Sequence, residues 1–123
     1  MLIVYDTMTG NVERFVNKLQ HTKVNKLSNN LNIEEPFCLI TYTIGFGDIP
    51  ESTKEFLSKN GKHLKGVASS GNKVWGSNFA KAGETISQQY NVPLLLKFEL
   101  GGNELDVEKF KQEVMRIDTR KDS

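Results

Sequence analysis

Three short stretches carry the residue types from which a ligand site could be built. The first is Asp6-Thr7-Met8-Thr9-Gly10-Asn11, which runs directly into an amphipathic segment. Hydroxyls, a glycine and an amide stand where the free N–H groups of a helix start point outward. Donors of that kind, with no cationic side chain among them, suit a phosphate monoester. The competing reading is an ordinary capped helix start, where Ser, Thr and Asn are common. The stretch is neither a Gly-Lys-Ser/Thr phosphate loop nor a Gly-x-Gly-x-x-Gly turn. The second stretch is Thr41-Tyr42-Thr43-Ile44-Gly45-Phe46-Gly47-Asp48-Ile49-Pro50. Gly45 and Gly47 let its backbone approach a flat ligand and change conformation at little cost. A glycine-rich turn over a buried Phe46 is the alternative. The third is Ser69-Ser70-Gly71-Asn72-Lys73-Val74-Trp75-Gly76, with the only tryptophan of the chain. It can stack on a planar ring, or pack under the next helix. Together the three describe one pocket for a flat, phosphorylated molecule.

Other reactive side chains read as structural. Cys38 lies within Phe37-Cys38-Leu39-Ile40 and is expected to be a buried small hydrophobe. His21 and His63 have no metal-ligand spacing and are expected at the surface. Glu108, Lys109, Lys111 and Glu113 read as a solvated helix face, and Phe79 with Ile86 as a core stripe.

The elements that must position these stretches follow from periodicity. Leu2–Tyr5 is a short apolar run and reads as a buried strand. Val12, Phe15, Val16 and Leu19 mark one face of a helix over Asn11–Leu19. Val24–Leu27 is a weak edge strand, Phe37–Tyr42 a strong one, and Leu64–Ser70 a fourth. Pro50 opens a helix that Asn60-Gly61 stops. Asn78–Tyr90 reads as a helix, Leu94–Leu100 as a fifth strand, and Val107, Phe110, Val114 and Ile117 as one face of a last helix. Ser28–Glu35 has no periodicity and serves as a connection. Apolar strands alternating with helices argue a parallel sheet covered on both faces, an α/β fold with strand order 2-1-3-4-5. Its ligand crevice lies beyond the carboxyl ends of strands 1 and 3, where the first two stretches fall.

The 123 residues are expected to form one domain over 1–119, with a frayed tail at 120–123. The balance of 16 basic and 15 acidic residues, net +1, gives no electrostatic reason to bind nucleic acid or an anionic membrane. No run approaches the ~20 apolar residues of a membrane helix. One cysteine and no secretory signal are consistent with a cytoplasmic setting.

The three stretches resemble the flavodoxins. Thr7, Thr9, Gly10 and Asn11 match that family's Ser/Thr-x-Thr-Gly-Asn-Thr pattern, with Val12 in place of the final threonine. More specific strings are Thr41-Tyr42-Thr43-x-Gly45-Phe46-Gly47-x-x-Pro50, Ala68-Ser69-Ser70-Gly71-Asn72-x-x-Trp75-Gly76 and Lys97-Phe98-Glu99-Leu100. They resemble the NrdI family, flavodoxin-like ribonucleotide reductase stimulatory proteins, and the likeness runs from Leu2 to about Ile117. The resemblance implies a flavin mononucleotide (FMN) cofactor. Its phosphate would sit on Thr7, Met8, Thr9, Gly10 and Asn11. Its ring would be bordered by Thr43, Gly45, Phe46, Gly47, Ser70, Gly71, Asn72 and Trp75. It further implies service to class Ib ribonucleotide reductase. The reduced flavin would pass electrons to O2, and the superoxide would help assemble the dimanganese-tyrosyl radical cofactor of the small subunit. A separate flavin reductase or other electron donor is implied, and the free chain is expected to be a monomer.

A near-neutral chain repels an anionic reduced flavin less than an acidic flavodoxin does. Lys73, and at longer range Lys54, would add positive potential, and Asp48 would oppose it. The Gly45-Phe46 peptide is the expected redox-responsive element. Reduction turns flavin N5 into a donor, and a carbonyl accepts from it only if that peptide turns over. A residue with Cβ resists positive φ by about 1 kcal/mol or more, so Gly45→Ala is expected to weaken the reduced states. Besides a purely structural interaction protein without cofactor, which would lack flavin absorbance near ~450 nm, three other readings compete. A one-electron shuttle flavodoxin would carry an acidic excess. A phosphorylation receiver needs an acidic pair after strand 1, where Asp6 stands alone. A tyrosine phosphatase needs Cys-x5-Arg, and Ile44 stands six residues after Cys38.

Overall fold

A computed structural model describes residues 1–120 of the chain. The elements in order are β1 (Leu2–Tyr5), α1 (Asn11–Leu19), β2 (Val24–Lys26), β3 (Phe37–Tyr42), α2 (Glu51–Asn60), β4 (Leu64–Gly71), α3 (Lys81–Tyr90), β5 (Leu94–Glu99) and α4 (Glu104–Arg120). Short 3-10 turns cover Gly61–His63 and Lys73–Asn78. All strand pairs are parallel and the order is β2-β1-β3-β4-β5, as expected from the sequence.

Side chains on a strand alternate between faces, and both faces of this sheet are apolar. Ile3, Cys38, Ile40 and Ala68 face one way, against Val12, Phe15 and Val16 of α1 and Val107, Phe110 and Val114 of α4. Leu2, Val4, Phe37, Leu39 and Val67 face the other, against Phe56 and Leu57 of α2 and Ala82 and Ile86 of α3. On the first face Phe15 stacks on Phe98, with centroids 4.1 Å apart, and meets Phe110 edge-on at 5.8 Å. This packing holds α1 and α4 on β1 and β5 and fixes where the loop between β1 and α1 emerges.

Several boundaries differ from the sequence expectation. Helix α3 starts at Lys81, not Asn78, because the Trp75 segment winds as 3-10 turns and Ala80 takes φ +50. Phe79 therefore lies outside the core, half-buried with the Lys97 ammonium 5.4 Å from its ring centroid. Pro50 sits one residue before α2 in an extended conformation, ψ 142. The β4 ladder continues through Gly71, and β5 ends at Glu99. His63 is half-buried, whereas His21 is exposed with Nε2 2.7 Å from the Met1 carbonyl. Helix α4 runs through Arg120, where the tail was expected to begin; residues 121–123 lie outside the described residues. Cys38 is fully buried, and burial first, with the charge of Asp118 adding to it, pushes its thiol up to about 12. It is a packed thiol at neutral pH.

Candidate functional site

Beyond the carboxyl ends of β1, β3 and β4 lies a cavity of about 180 Å3. The order of the strands reverses between β1 and β3, where a crevice opens in sheets of this kind. All three stretches singled out in the sequence reach it.

Thr7, Met8, Thr9 and Asn11 line its first wall. Thr7 Oγ1 accepts from Gly10 N at 3.2 Å and closes the loop on itself. Gly10 occupies the cap position of α1 with φ 90, and no side chain caps the helix. The first N–H groups of α1 are thus left for an acceptor in the cavity. Gly10 itself turns the chain and does not line the wall. Val12, expected on the apolar helix face and as a replacement for the final threonine, also lines it. Arg14, three residues after Asn11, donates its guanidinium to Asn11 Oδ1 and does not line the cavity.

The second wall comes from Tyr42, Thr43 and Gly45. Thr43 Oγ1 accepts from Ala82 N at 3.3 Å, which ties this loop to α3. Ile44 and Asp48 exchange backbone hydrogen bonds of 3.0 and 2.8 Å, and Gly47 N donates to Ile44 O at 3.2 Å. Within that turn Gly45 has φ +52, while Phe46 does not have positive φ. A turn with positive φ only at its first central residue is type II′, which takes glycine there. Phe46 is 77% exposed and does not line the cavity, though it meets Trp75, which does, edge-on at 5.7 Å. The expected alternative of a buried Phe46 does not hold. Gly47 packs beneath the loop, beside Lys81 and Asn78, rather than lining the cavity.

Ser70, Gly71, Asn72 and Trp75 form the third wall. Asn72 Oδ1 accepts from Val74 N at 3.1 Å and starts the turn that carries Trp75. A fourth segment joins them, the end of the Lys97-Phe98-Glu99-Leu100 string, to which the sequence assigned no place in the site. Leu100 N donates to Gly71 O at 2.9 Å, and Ser70 Oγ donates to Leu100 O at 2.6 Å. Leu100 (φ +53) and Ala80 (φ +50) both line the cavity in a conformation that residues with Cβ rarely adopt. Such strain persists where surrounding contacts impose it, commonly at binding sites. Asn78 completes the lining.

The lining contains no charged side chain. Lys73 and Lys54, expected as sources of positive potential, do not reach it. The Lys73 ammonium lies 6.0 Å from the Phe79 centroid, and Lys54 pairs with Glu51 at 3.4 Å. Asp48 is exposed and Asp6 turns toward α2, so neither carboxylate faces the cavity. The wall is hydroxyl, amide, backbone and aromatic. It suits a flat, neutral ring on a polar chain that ends in an anion held by N–H and O–H donors. Among the described residues no cluster of His, Cys, Asp and Glu has the geometry of a metal site, and no helix is long and apolar enough to cross a membrane.

These features, a 2-1-3-4-5 sheet with its cavity at the switch point, define a flavodoxin-like protein. A short-chain flavodoxin associated with a bacterial microcompartment superposes with a TM-score of 0.75 at 20% identity, covering 98% of this chain and 99% of that one. The flavodoxin of Fusobacterium nucleatum, solved bound to flavin mononucleotide, gives 0.63 at 15% identity, covering 96% of each. At those identities the likeness is one of fold. The branch is set by sequence. Residues 3–112 match the model of the NrdI flavodoxin-like family. Protein NrdI of Bacillus licheniformis is 56% identical over 118 residues, 96% of this chain and 90% of the relative. The chain belongs to the NrdI flavodoxin-like family.

Proposed function

We propose that this chain is the FMN-binding redox partner of a class Ib ribonucleotide reductase. The observation that carries the reading is the uncharged cavity at the β1/β3 switch, open to the first N–H groups of α1 and bordered by Trp75. FMN, when bound, supplies electron transfer to O2, and the superoxide formed serves assembly of the dimanganese-tyrosyl radical cofactor of the reductase small subunit. The protein binds, orients and tunes. Thr7, Thr9 and the start of α1 hold the phosphate, while Thr43, Gly45, Ser70–Asn72 and Trp75 border the ring. A cavity of about 180 Å3 is smaller than the roughly 300–1,000 Å3 of pockets that enclose a whole ligand. A ligand of FMN's size would therefore not be wholly enclosed by this cavity.

Docking of a protein on the cavity rim has its own support. Met8, Phe46, Val74, Trp75 and Leu100 are large apolar side chains, each exposed by 45% or more, and all belong to the loops around the cavity. Clustered apolar exposure marks an interaction surface. The deciding experiment is anaerobic reduction of the FMN-loaded chain followed by air, with and without the dimanganese subunit. Tyrosyl radical should form only when both proteins are present. Radical yield independent of this chain would reject the role.

Two smaller experiments check the cofactor's placement. Thr9→Val removes a hydrogen bond to a charged group, worth roughly 1.5–3 kcal/mol, so FMN affinity is expected to fall at least about tenfold. Equal dissociation constants by titration would remove the phosphate from this loop. Trp75 is the only tryptophan, so FMN added to apoprotein is expected to quench most of the indole emission. Unchanged emission would place the ring away from Trp75.

A further inference from the structure

Asp6 is the only acidic or basic side chain in the buried class among the described residues, 7% exposed. It joins the end of β1 to the loop Thr7–Asn11, and its own N–H donates to Ile40 O at 3.0 Å. Its carboxylate oxygen Oδ2 accepts from Ser52 Oγ at 2.5 Å and from Thr53 Oγ1 at 2.7 Å. Since Thr53 gives its proton to Asp6, Thr41 is the donor in the 2.8 Å pair between the two threonines. Among the described residues no ion pair includes Asp6. The charged groups of the first turn of α2, Glu51 and Lys54, pair with each other at the surface. A buried carboxylate on neutral donors is costly, and a neutral amide would accept the same two hydroxyls. The charge needs an explanation that the hydrogen bonds do not give.

Asp6 directly precedes Thr7, a residue of the cavity wall, so its charge lies beside that wall; Tyr42 responds to it. Tyr42 lines the cavity, and its phenol is held above the usual value first by burial and then by the charge of Asp6. We infer that Asp6 is a positioning residue that also sets the potential of the cofactor cavity, fastening the loop after β1 to α2 while opposing negative charge in the site. The inference rests on the FMN reading above. A buried charge acts through an effective dielectric far below that of water, whereas exposed Asp48, Lys54 and Lys73 are screened. The local carboxylate thus outweighs the near-neutral total. It makes the reduced cofactor a stronger electron donor, which suits a protein that gives its electrons away.

The test compares wild type, Asp6→Asn and Ser52→Ala, each loaded with FMN, by midpoint potential at low and high salt and by thermal unfolding. Asp6→Asn keeps an oxygen for both hydroxyls and loses the charge. Reduced over oxidised cofactor is expected to be favoured about tenfold, ~30 mV upward for a two-electron couple, and the shift should survive high salt. Ser52→Ala keeps the charge and removes one donor that stabilises it, so its midpoint should fall while its melting temperature also falls. Midpoints that move in the same direction in both variants, or an Asp6→Asn ratio within twofold of wild type, would overturn the inference. Should Asp6→Asn fail to fold, an unmoved midpoint in Ser52→Ala overturns it alone. Wild type that takes up no FMN overturns the functional reading as well, whereas FMN-bound variants with unmoved midpoints overturn only this inference.

Discussion

Gly71→Ala is expected to weaken FMN binding by well over about tenfold at temperatures where the sheet is still folded. A Cβ at this position would lie 2.4 Å from Ala80 N and 2.8 Å from Ala80 Cα. Both are backbone atoms of a fully buried residue already at φ +50, so neither can step aside as a flexible side chain would. Overpacking of this kind costs typically about 1–3 kcal/mol, which for a chain of this length is roughly 5–10 °C in melting temperature. The larger effect falls on the site, because Gly71 and Ala80 both line the cavity and Gly71 O anchors Leu100. FMN affinity should weaken by well over about tenfold, beyond 1.4 kcal/mol. Circular dichroism melts and flavin titrations read the two effects separately. A variant that melts lower yet binds FMN as wild type does would place the cofactor elsewhere.

For Gly45→Ala the expected change is in potential. The sequence alone suggested that alanine would penalise the turned-over peptide and so weaken the reduced states. The resting turn reverses that sign. Gly45 already has φ +52 at the first central position of a type II′ turn, with Phe46 on the ordinary side. That position is open to glycine and strained for alanine. Turning the Gly45-Phe46 peptide over converts type II′ to type I′, which places residue 45 near the left-handed helical region that alanine tolerates better. The substitution therefore strains the resting form more than the turned-over form. The FMN midpoint should rise, by about 40 mV for each kcal/mol of that difference in a one-electron couple, from ~59 mV per tenfold. Anaerobic potentiometry at one pH measures it. A fall, or a change below ~10 mV, would remove this peptide from the redox response.

The strands and α1 were legible because their signal is periodic. Val12, Phe15, Val16 and Leu19 lie on one helical face, and all four are buried. The apolar runs of β1, β3 and β4 are buried on both sides, which leaves them no alternative to the middle of a parallel sheet. The start of α3 was not legible, since 3-10 turns have no apolar repeat and nothing in Asn78-Phe79-Ala80 announces a positive φ at an alanine. Leu100 was missed for the same reason, as a leucine forced into the left-handed region by the hydrogen bonds of Ser70 and Gly71. Asp6 could be seen but not aimed: its partners, Ser52 and Thr53, are more than forty residues away in sequence. The hydroxyl-rich loop, by contrast, is local, and residues 7, 9 and 11 reached the cavity wall as their types implied.

The brevity of β2 also bears on how copies of the chain meet in a crowded solution. An open sheet presents an unpaired row of N–H and C=O groups at each side, a template for strands from other molecules. Here one side is formed by only Val24–Lys26, of which Asn25 and Lys26 are exposed. Lys26 pairs with Glu13 at 3.6 Å and Lys23, just before the strand, with Glu35 at 2.6 Å, so charge brackets the row at both ends. A visiting strand would find three residues of backbone and a double row of solvated charges. This edge of the sheet, on the far side from Trp75, is thus a poor template for fibrous association.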